Sequence, residues 1–202
     1  LKKAVDAKKD QTYYLFATTQ EQLDMLHFPL GHVTKDVTRQ LAKDLNLHVH
    51  EKKDSYDICF VPDKDYRKVV KKFAPTAQKQ GNIVMRDGTV VGQHEGIVGY
   101  TVGQRKGLVG GNTAATYVVE IRAHTNEIVI GSKADLERAT FTVKDLNWLA
   151  PTPPDGAEVE ARIRAQHEGS PVTLKDLGAG RLKVTFHTPE GQVSPGQAAV
   201  FY

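Results

Sequence analysis

Ile83-Val84-Met85-Arg86-Asp87-Gly88-Thr89-Val90-Val91 is where the chain changes character. Two runs rich in β-branched residues flank Asp-Gly, a pair that supplies the positive φ angles of a tight type I′ turn. The stretch therefore predicts a β-hairpin. A second hairpin is predicted from Tyr117-Val118-Val119-Glu120-Ile121-Arg122 and Glu127-Ile128-Val129-Ile130, across Ala123-His124-Thr125-Asn126. Further strands are expected at residues 139–144, 157–165, 171–176, 181–187 and 197–202, set apart by Pro and Gly. Many short strands at regular spacing suggest a small antiparallel barrel or sandwich.

Upstream of the first hairpin the pattern is helical. Thr19-Gln20-Glu21-Gln22 has the form of a capping box, and Leu23 and Leu26 follow at helical spacing. Phe28-Pro29 stops that helix. A second helix follows Thr34, with Val37, Leu41 and Leu45 as its apolar stripe. Lys35, Arg39 and Lys43 form a basic row beside it, which reads either as a solvated face or as a polyanion contact. A third helix is expected from Asp63, with Tyr66, Val69, Val70 and Phe73 on one face and Pro75 at its end. The fold class is thus α+β: a small helical-plus-β-ribbon domain over residues 1–111, then an antiparallel β domain over residues 112–202.

Composition narrows the function classes. The chain has 202 residues and one cysteine, so no intrachain disulfide, cysteine zinc site or CxxC redox pair can form within it. No apolar run approaches the roughly 20 residues of a membrane span. Leu1-Lys2-Lys3-Ala4-Val5-Asp6 lacks the apolar stretch of a signal peptide. The net charge is +3, and the excess of Lys and Arg lies in residues 1–75. A nucleic-acid ligand is permitted by this but not demanded.

The chemistry-bearing candidates are few. Gly103-Gln104-Arg105-Lys106-Gly107-Leu108-Val109-Gly110-Gly111 matches no phosphate loop; it reads as a connector, or as backbone N–H groups beside Arg105 and Lys106 offered to a phosphate. Cys59 has Ile58, Phe60 and Val61 around it and reads as a small core residue. The alternative is a sulfur nucleophile, which Lys52 and Lys53 would favour and Asp54 and Asp57 would oppose. His48 and His50 share a strand face but lack a third ligand, so no metal is expected. On Glu158-Val159-Glu160-Ala161-Arg162-Ile163-Arg164, period two sends Val159, Ala161 and Ile163 inward and the charges outward. That outer face is either a set of cross-strand ion pairs or a phosphate-contacting surface.

Seven strings, in order, resemble one family, the tRNA-specific 2-thiouridylases. They are Asp6-x-x-Lys9-Asp10-Gln11-x-Tyr13-Tyr14-Leu15, Phe28-Pro29-Leu30-Gly31, Lys53-Asp54-Ser55-x-Asp57-Ile58-Cys59-Phe60, Gly92-x-His94-x-Gly96, Tyr100-Thr101-Val102-Gly103-Gln104-Arg105-Lys106-Gly107-Leu108, Asn126-x-x-x-x-Gly131 and Pro195-Gly196-Gln197. The resemblance implies an enzyme that uses ATP, with Mg2+, and a protein persulfide to thiolate the wobble uridine of tRNA at C2. Cys59 matches the persulfide cysteine; a persulfide is a better nucleophile than a thiol at neutral pH.

Lys9, Asp10 and Gln11 match a tRNA-contacting string, and Gln197 matches another contact. Arg164 stands where the family has an Arg-Tyr pair, but Ala165 replaces the Tyr. Arg105 and Lys106 are expected to be structural or RNA-facing. The resemblance makes residues 112–202 a β-barrel similar to those of translation factors. Neither the family's Ser-Gly-Gly-x-Asp-Ser loop nor its second cysteine occurs in the sequence. The N-terminal ATP-pyrophosphatase domain is therefore expected to lie outside this chain, which alone should be inactive. The implied partners are tRNA and a sulfur-donor or relay protein, with no membrane, in the cytoplasm. The competing class is a non-enzymatic RNA-binding module with the same kind of barrel.

Overall fold

A computed structural model describes residues 1–54, 61, 66–74, 79–108 and 116–202. The chain divides into two compact units, each described by itself. One comprises Leu1–Ser55, Thr140–Thr188 and Gly196–Tyr202; the other comprises Tyr56–Ala139 and Pro189–Pro195. The α+β class expected from the sequence is what is found.

In the first unit, α1 (Gln20–Asp24) begins at the expected capping box: Thr19 accepts from the Gln22 N–H, and Gln22 Oε1 accepts from the Thr19 N–H. Helix α2 (Lys35–Asp44) is capped by Thr34, whose Oγ1 accepts from the Val37 N–H. Its apolar stripe is present but open: Val37, Leu41 and Leu45 are 46%, 46% and 70% exposed. The period of 3.6 fixes which residues share a face, but not what covers it.

The same unit holds strands β5 (Arg138–Val143), β6 (Glu158–Arg162), β7 (Ser170–Gly178), β8 (Arg181–Glu190) and β9 (Val200–Phe201); β5 and β8 overrun the division between units by a few residues. They lie in the order β5-β8-β7-β6-β9. Alternation drives them: Val172, Leu174, Val184 and Phe186 are buried, while Lys175 and Lys183 point the other way. The sheet order has two ends, so among the described residues it is an open sheet rather than a closed barrel.

The second unit contains α3 (Tyr66–Phe73), β1 (Gly81–Met85), β2 (Val90–His94), β3 (Tyr117–Arg122) and β4 (Glu127–Gly131). The expected N-cap Asp63 and terminator Pro75 of α3 lie outside the described residues. Both hairpins form, in the sheet order β2-β1-β4-β3. The central pair β1–β4 is parallel, matching Ile83 with Ile128 and Val84 with Val129. The hairpin beyond residue 111 thus joins the one before it in a single sheet. Ile83, Val118, Ile128 and Ile130 pack together on one face, and Val84, Val119, Val129 and Leu136 on the other. Burial on both faces explains the continuous apolar runs.

The Asp87-Gly88 turn differs from expectation. Gly88 alone takes a positive φ, of 89°, and Asp87 instead accepts the Thr89 N–H on Oδ1 at 2.9 Å. The carboxylate closes an Asx turn, so a left-handed Asp is not needed.

Candidate nucleic-acid interface

The N-terminal segment is tied to the sheet of its own unit by side chains far apart in sequence. Asp10 follows a short 3-10 turn, Ala7–Lys9, and precedes another, Thr12–Leu15. Its side chain is 2% exposed and lies 3.3 Å from Nη1 of Arg162. It also accepts the Ala4 N–H at 3.0 Å and the Thr12 hydroxyl at 2.8 Å. Burial pushes the Asp10 carboxyl up, but these donors and Arg162 outweigh it and hold it below the usual carboxylate value. Thr12 Oγ1 lies 2.9 Å from the Tyr202 hydroxyl, and the Tyr13 hydroxyl donates to the Ala198 carbonyl at 3.0 Å. Lys3 pairs with Glu160 at 2.5 Å and sits 4.2 Å above the Tyr202 ring; the Arg162 guanidinium lies 5.3 Å from that ring.

A second cluster lies at the start of α2. Asp6 accepts the Lys8 N–H on one oxygen and the Lys35 N–H on the other. Lys9 and Lys35 then converge on Asp54, at 2.6 and 2.9 Å. The two lysines depress the Asp54 carboxyl from 3.8 to about 2. Lys9 and Asp10, both expected RNA contacts, therefore share with Asp6 the task of fixing the local backbone.

The other sequence candidates are placed as follows. Gln11 is exposed. Arg164 lies just past the end of β6 and is exposed; Gln197 is exposed beside Gly196, whose φ is 83°. These side chains and Lys9, Asp10 and Arg162 belong to one unit. Arg105 and Lys106 are exposed in the other unit. Their loop is not a phosphate cradle at its start: the Gly103 N–H donates to the Val118 carbonyl and the Gln104 N–H to the Thr101 carbonyl, at 2.8 and 2.9 Å. Cys59 lies outside the described residues. Among the described residues, no group of three His, Cys, Asp or Glu is placed to hold a metal.

Residues to which the sequence assigns no binding role complete the picture. Arg162 was placed on the outer face beside Arg164, yet its side chain is only 14% exposed because Asp10 and Tyr202 enclose it. The motif residues of the second unit build its frame. His94 is buried; its Nδ1 accepts the Gly96 N–H at 3.0 Å, so its Nε2 carries the proton toward the Asn126 carbonyl at 3.1 Å. The Asn126 amide donates to the Lys79 and Gln80 carbonyls. Asp135 takes Ser132 and Arg86, which lower its carboxyl to about 2, and a Cβ on Gly131 would stand 2.7 Å from Asp135 Oδ2.

Comparison with known proteins divides the chain in three. Residues 1–63 match the family described as tRNA methyl transferase HUP domain, residues 67–132 the tRNA methyl transferase PRC-barrel domain, and residues 138–202 the aminomethyltransferase beta-barrel domain. The chain is 48% identical over 201 residues to the tRNA-specific 2-thiouridylase MnmA of Sphingopyxis alaskensis, covering 99% of this chain and 51% of that protein. It is 47% identical over 203 residues to that of Maricaulis maris, covering 100% and 50%. Against that of Orientia tsutsugamushi it is 44% identical over 204 residues, covering 100% and 55%. It spans about half the length of these curated relatives. From its first tied segment to its last strand, the chain belongs to the tRNA-specific 2-thiouridylase family.

Proposed function

We propose that this chain supplies the persulfide cysteine and the tRNA-gripping surfaces of a tRNA-uridine 2-sulfurtransferase. The observation that carries the reading is 48% identity across 99% of the chain to a protein named for that activity. Cys59 is the sulfur carrier: the terminal sulfur of its persulfide attacks C2 of the activated uridine, and the activated C2 oxygen leaves. The thiolate of a second cysteine outside this chain attacks the Cys59 sulfur, breaking the S–S bond and leaving a disulfide between the two cysteines. ATP, when bound, turns the C2 oxygen into a leaving group. The sequence holds no Ser-Gly-Gly-x-Asp-Ser loop, and among the described residues of the Gly-rich stretch the Gly103 and Gln104 N–H groups are spent on carbonyls, so they offer that nucleotide no cradle. Adenylation and its Mg2+ are assigned to the half of the relatives that this chain does not span.

Lys9, Gln11, Arg164 and Gln197 form the RNA-facing set in this reading, and Asp10 holds the first two in place through Arg162. Arg164 supports it as an exposed cation whose guanidinium has no partner among the described residues. Arg105 and Lys106 are a second, separate RNA-facing pair. The C-terminal sheet, whose residues match a family described as a beta-barrel domain, is the part that grips the anticodon stem. The partners are tRNA and a sulfur-delivering protein, and the working compartment is the cytoplasm. No described helix is long and apolar enough to cross a membrane. The test is Cys59→Ser in the complete enzyme: thiolation should vanish while tRNA affinity stays near normal. Full thiolation by that variant would overturn the reading.

A further inference from the structure

We propose that the outward face of the β7–β8 hairpin, carrying Lys175, Arg181 and Lys183, is an additional phosphate-binding surface for the RNA. This inference rests on the RNA-binding reading above and adds a site to it.

Lys175 and Lys183 stand directly opposite each other in the strand register. Directly opposed residues share a face, and like charges so placed repel. Arg181 precedes Lys183 by two residues on β8, so alternation sends it to the same side, away from the buried Leu182 and Val184. All three are exposed.

Among the described residues no carboxylate neutralises them. Acids of the turn and of β6 have partners of their own. Asp176 accepts the Gly178 N–H at 2.8 Å, Asp155 accepts the Asp176 N–H at 2.7 Å, Glu160 pairs with Lys3, and Glu158 lies 3.8 Å from His187. A face needed only for solubility would mix the two signs. On this face Glu158 and Glu160 stand opposite Thr173 and Pro171, toward one end of β7, while Lys175, Lys183 and Arg181 lie toward the turn, so the signs are segregated and the turn end presents a positive field to solvent.

A rigid array of cations suits a regular polyanion. A lipid surface would ask in addition for apolar anchors. Leu177 is the one exposed large hydrophobic side chain in this hairpin.

The experiment uses this 202-residue chain, the triple variant Lys175→Gln, Arg181→Gln, Lys183→Gln, and an unmodified tRNA transcript. The salt slope of log Kd should fall by about 3, and Kd at about 50 mM salt should rise ~10-fold. The melting temperature should hold or rise, since a repulsive pair has gone. Lys175→Arg with Lys183→Arg should bind like the parent. Equal affinity and equal slope in parent and triple variant would overturn this site while leaving the RNA-binding reading intact. No tRNA binding by the parent would overturn both. Binding to phosphatidylserine vesicles in place of tRNA would overturn the RNA assignment of the patch.

Discussion

Asp10 and Arg162 are 152 residues apart in sequence, and their side chains meet at 3.3 Å with the carboxylate almost wholly enclosed. The pair joins the segment that bears one set of RNA-contact candidates to the strand that leads to another. Arg162 Nε is buried without a hydrogen-bond partner, so the guanidinium depends on this carboxylate and on the Tyr202 ring. Removing Asp10 leaves a charge with little water to receive it. Asp10→Ala should destabilise the chain by about 3 kcal/mol in urea unfolding. Asp10→Asn should cost less, since an amide oxygen in the place of Oδ1 still accepts the Ala4 N–H while only the Oδ2 contacts to Thr12 and Arg162 are changed. Equal losses in both variants would show that the charge itself matters most.

The Lys9–Asp54–Lys35 cluster makes a pH prediction. The Asp54 carboxyl falls from 3.8 to about 2 in the folded chain because two lysines favour its charged form. A depressed acid stabilises the fold above its unfolded value and loses that contribution as pH falls through its folded value. The stability difference between the parent and Asp54→Asn should therefore be constant from neutral pH to about 5. It should shrink between about 4 and 2, and vanish below. Thermal melts across that range measure it, and a difference that grows on acidification would contradict the cluster.

Gly81 is a steric prediction. A Cβ there would stand 2.0 Å from the Asn126 carbonyl oxygen and 2.8 Å from His94 Nε2. The oxygen is backbone and cannot swing aside. Gly81→Ala should cost about 1–3 kcal/mol or more by overpacking. It should also speed amide exchange at the parallel β1–β4 pair first.

Arg164 is the direct test of the RNA surface outside the hairpin. Arg164→Ala should weaken tRNA binding by about 1–3 kcal/mol if its guanidinium meets phosphate, the scale of a charge-assisted hydrogen bond. An unchanged Kd would return Arg164 to the solvated surface.

Local features were legible in the sequence because their causes are local. The Thr19–Gln22 box, the Thr34 cap and both hairpins follow from residue types a few positions apart. What was not legible depends on pairing across the chain. Nothing near Asp10 marks it as a buried counter-ion rather than a ligand contact, and period two sent Arg162 outward without showing that Tyr202 and Asp10 would cover it. The parallel β1–β4 pair was hidden for the same reason: two hairpins look alike whether they share a sheet or not. The α2 stripe was visible as a period, but no period names the surface opposite. Cys59 was read by composition as core and by resemblance as a sulfur carrier, and its placement lies outside the described residues.

The bonds from Thr12 to Tyr202 and from Tyr13 to Ala198 also set a timetable. Nascent chains grow at about 5–20 residues per second, so Thr12 and Tyr13 wait roughly 10–40 s for Ala198 and Tyr202 to be made. During that wait the second unit, almost contiguous in sequence, is free to fold. The first unit cannot close before residues 198–202 are made, and removing them should leave the Thr12–Tyr13 segment without a seat.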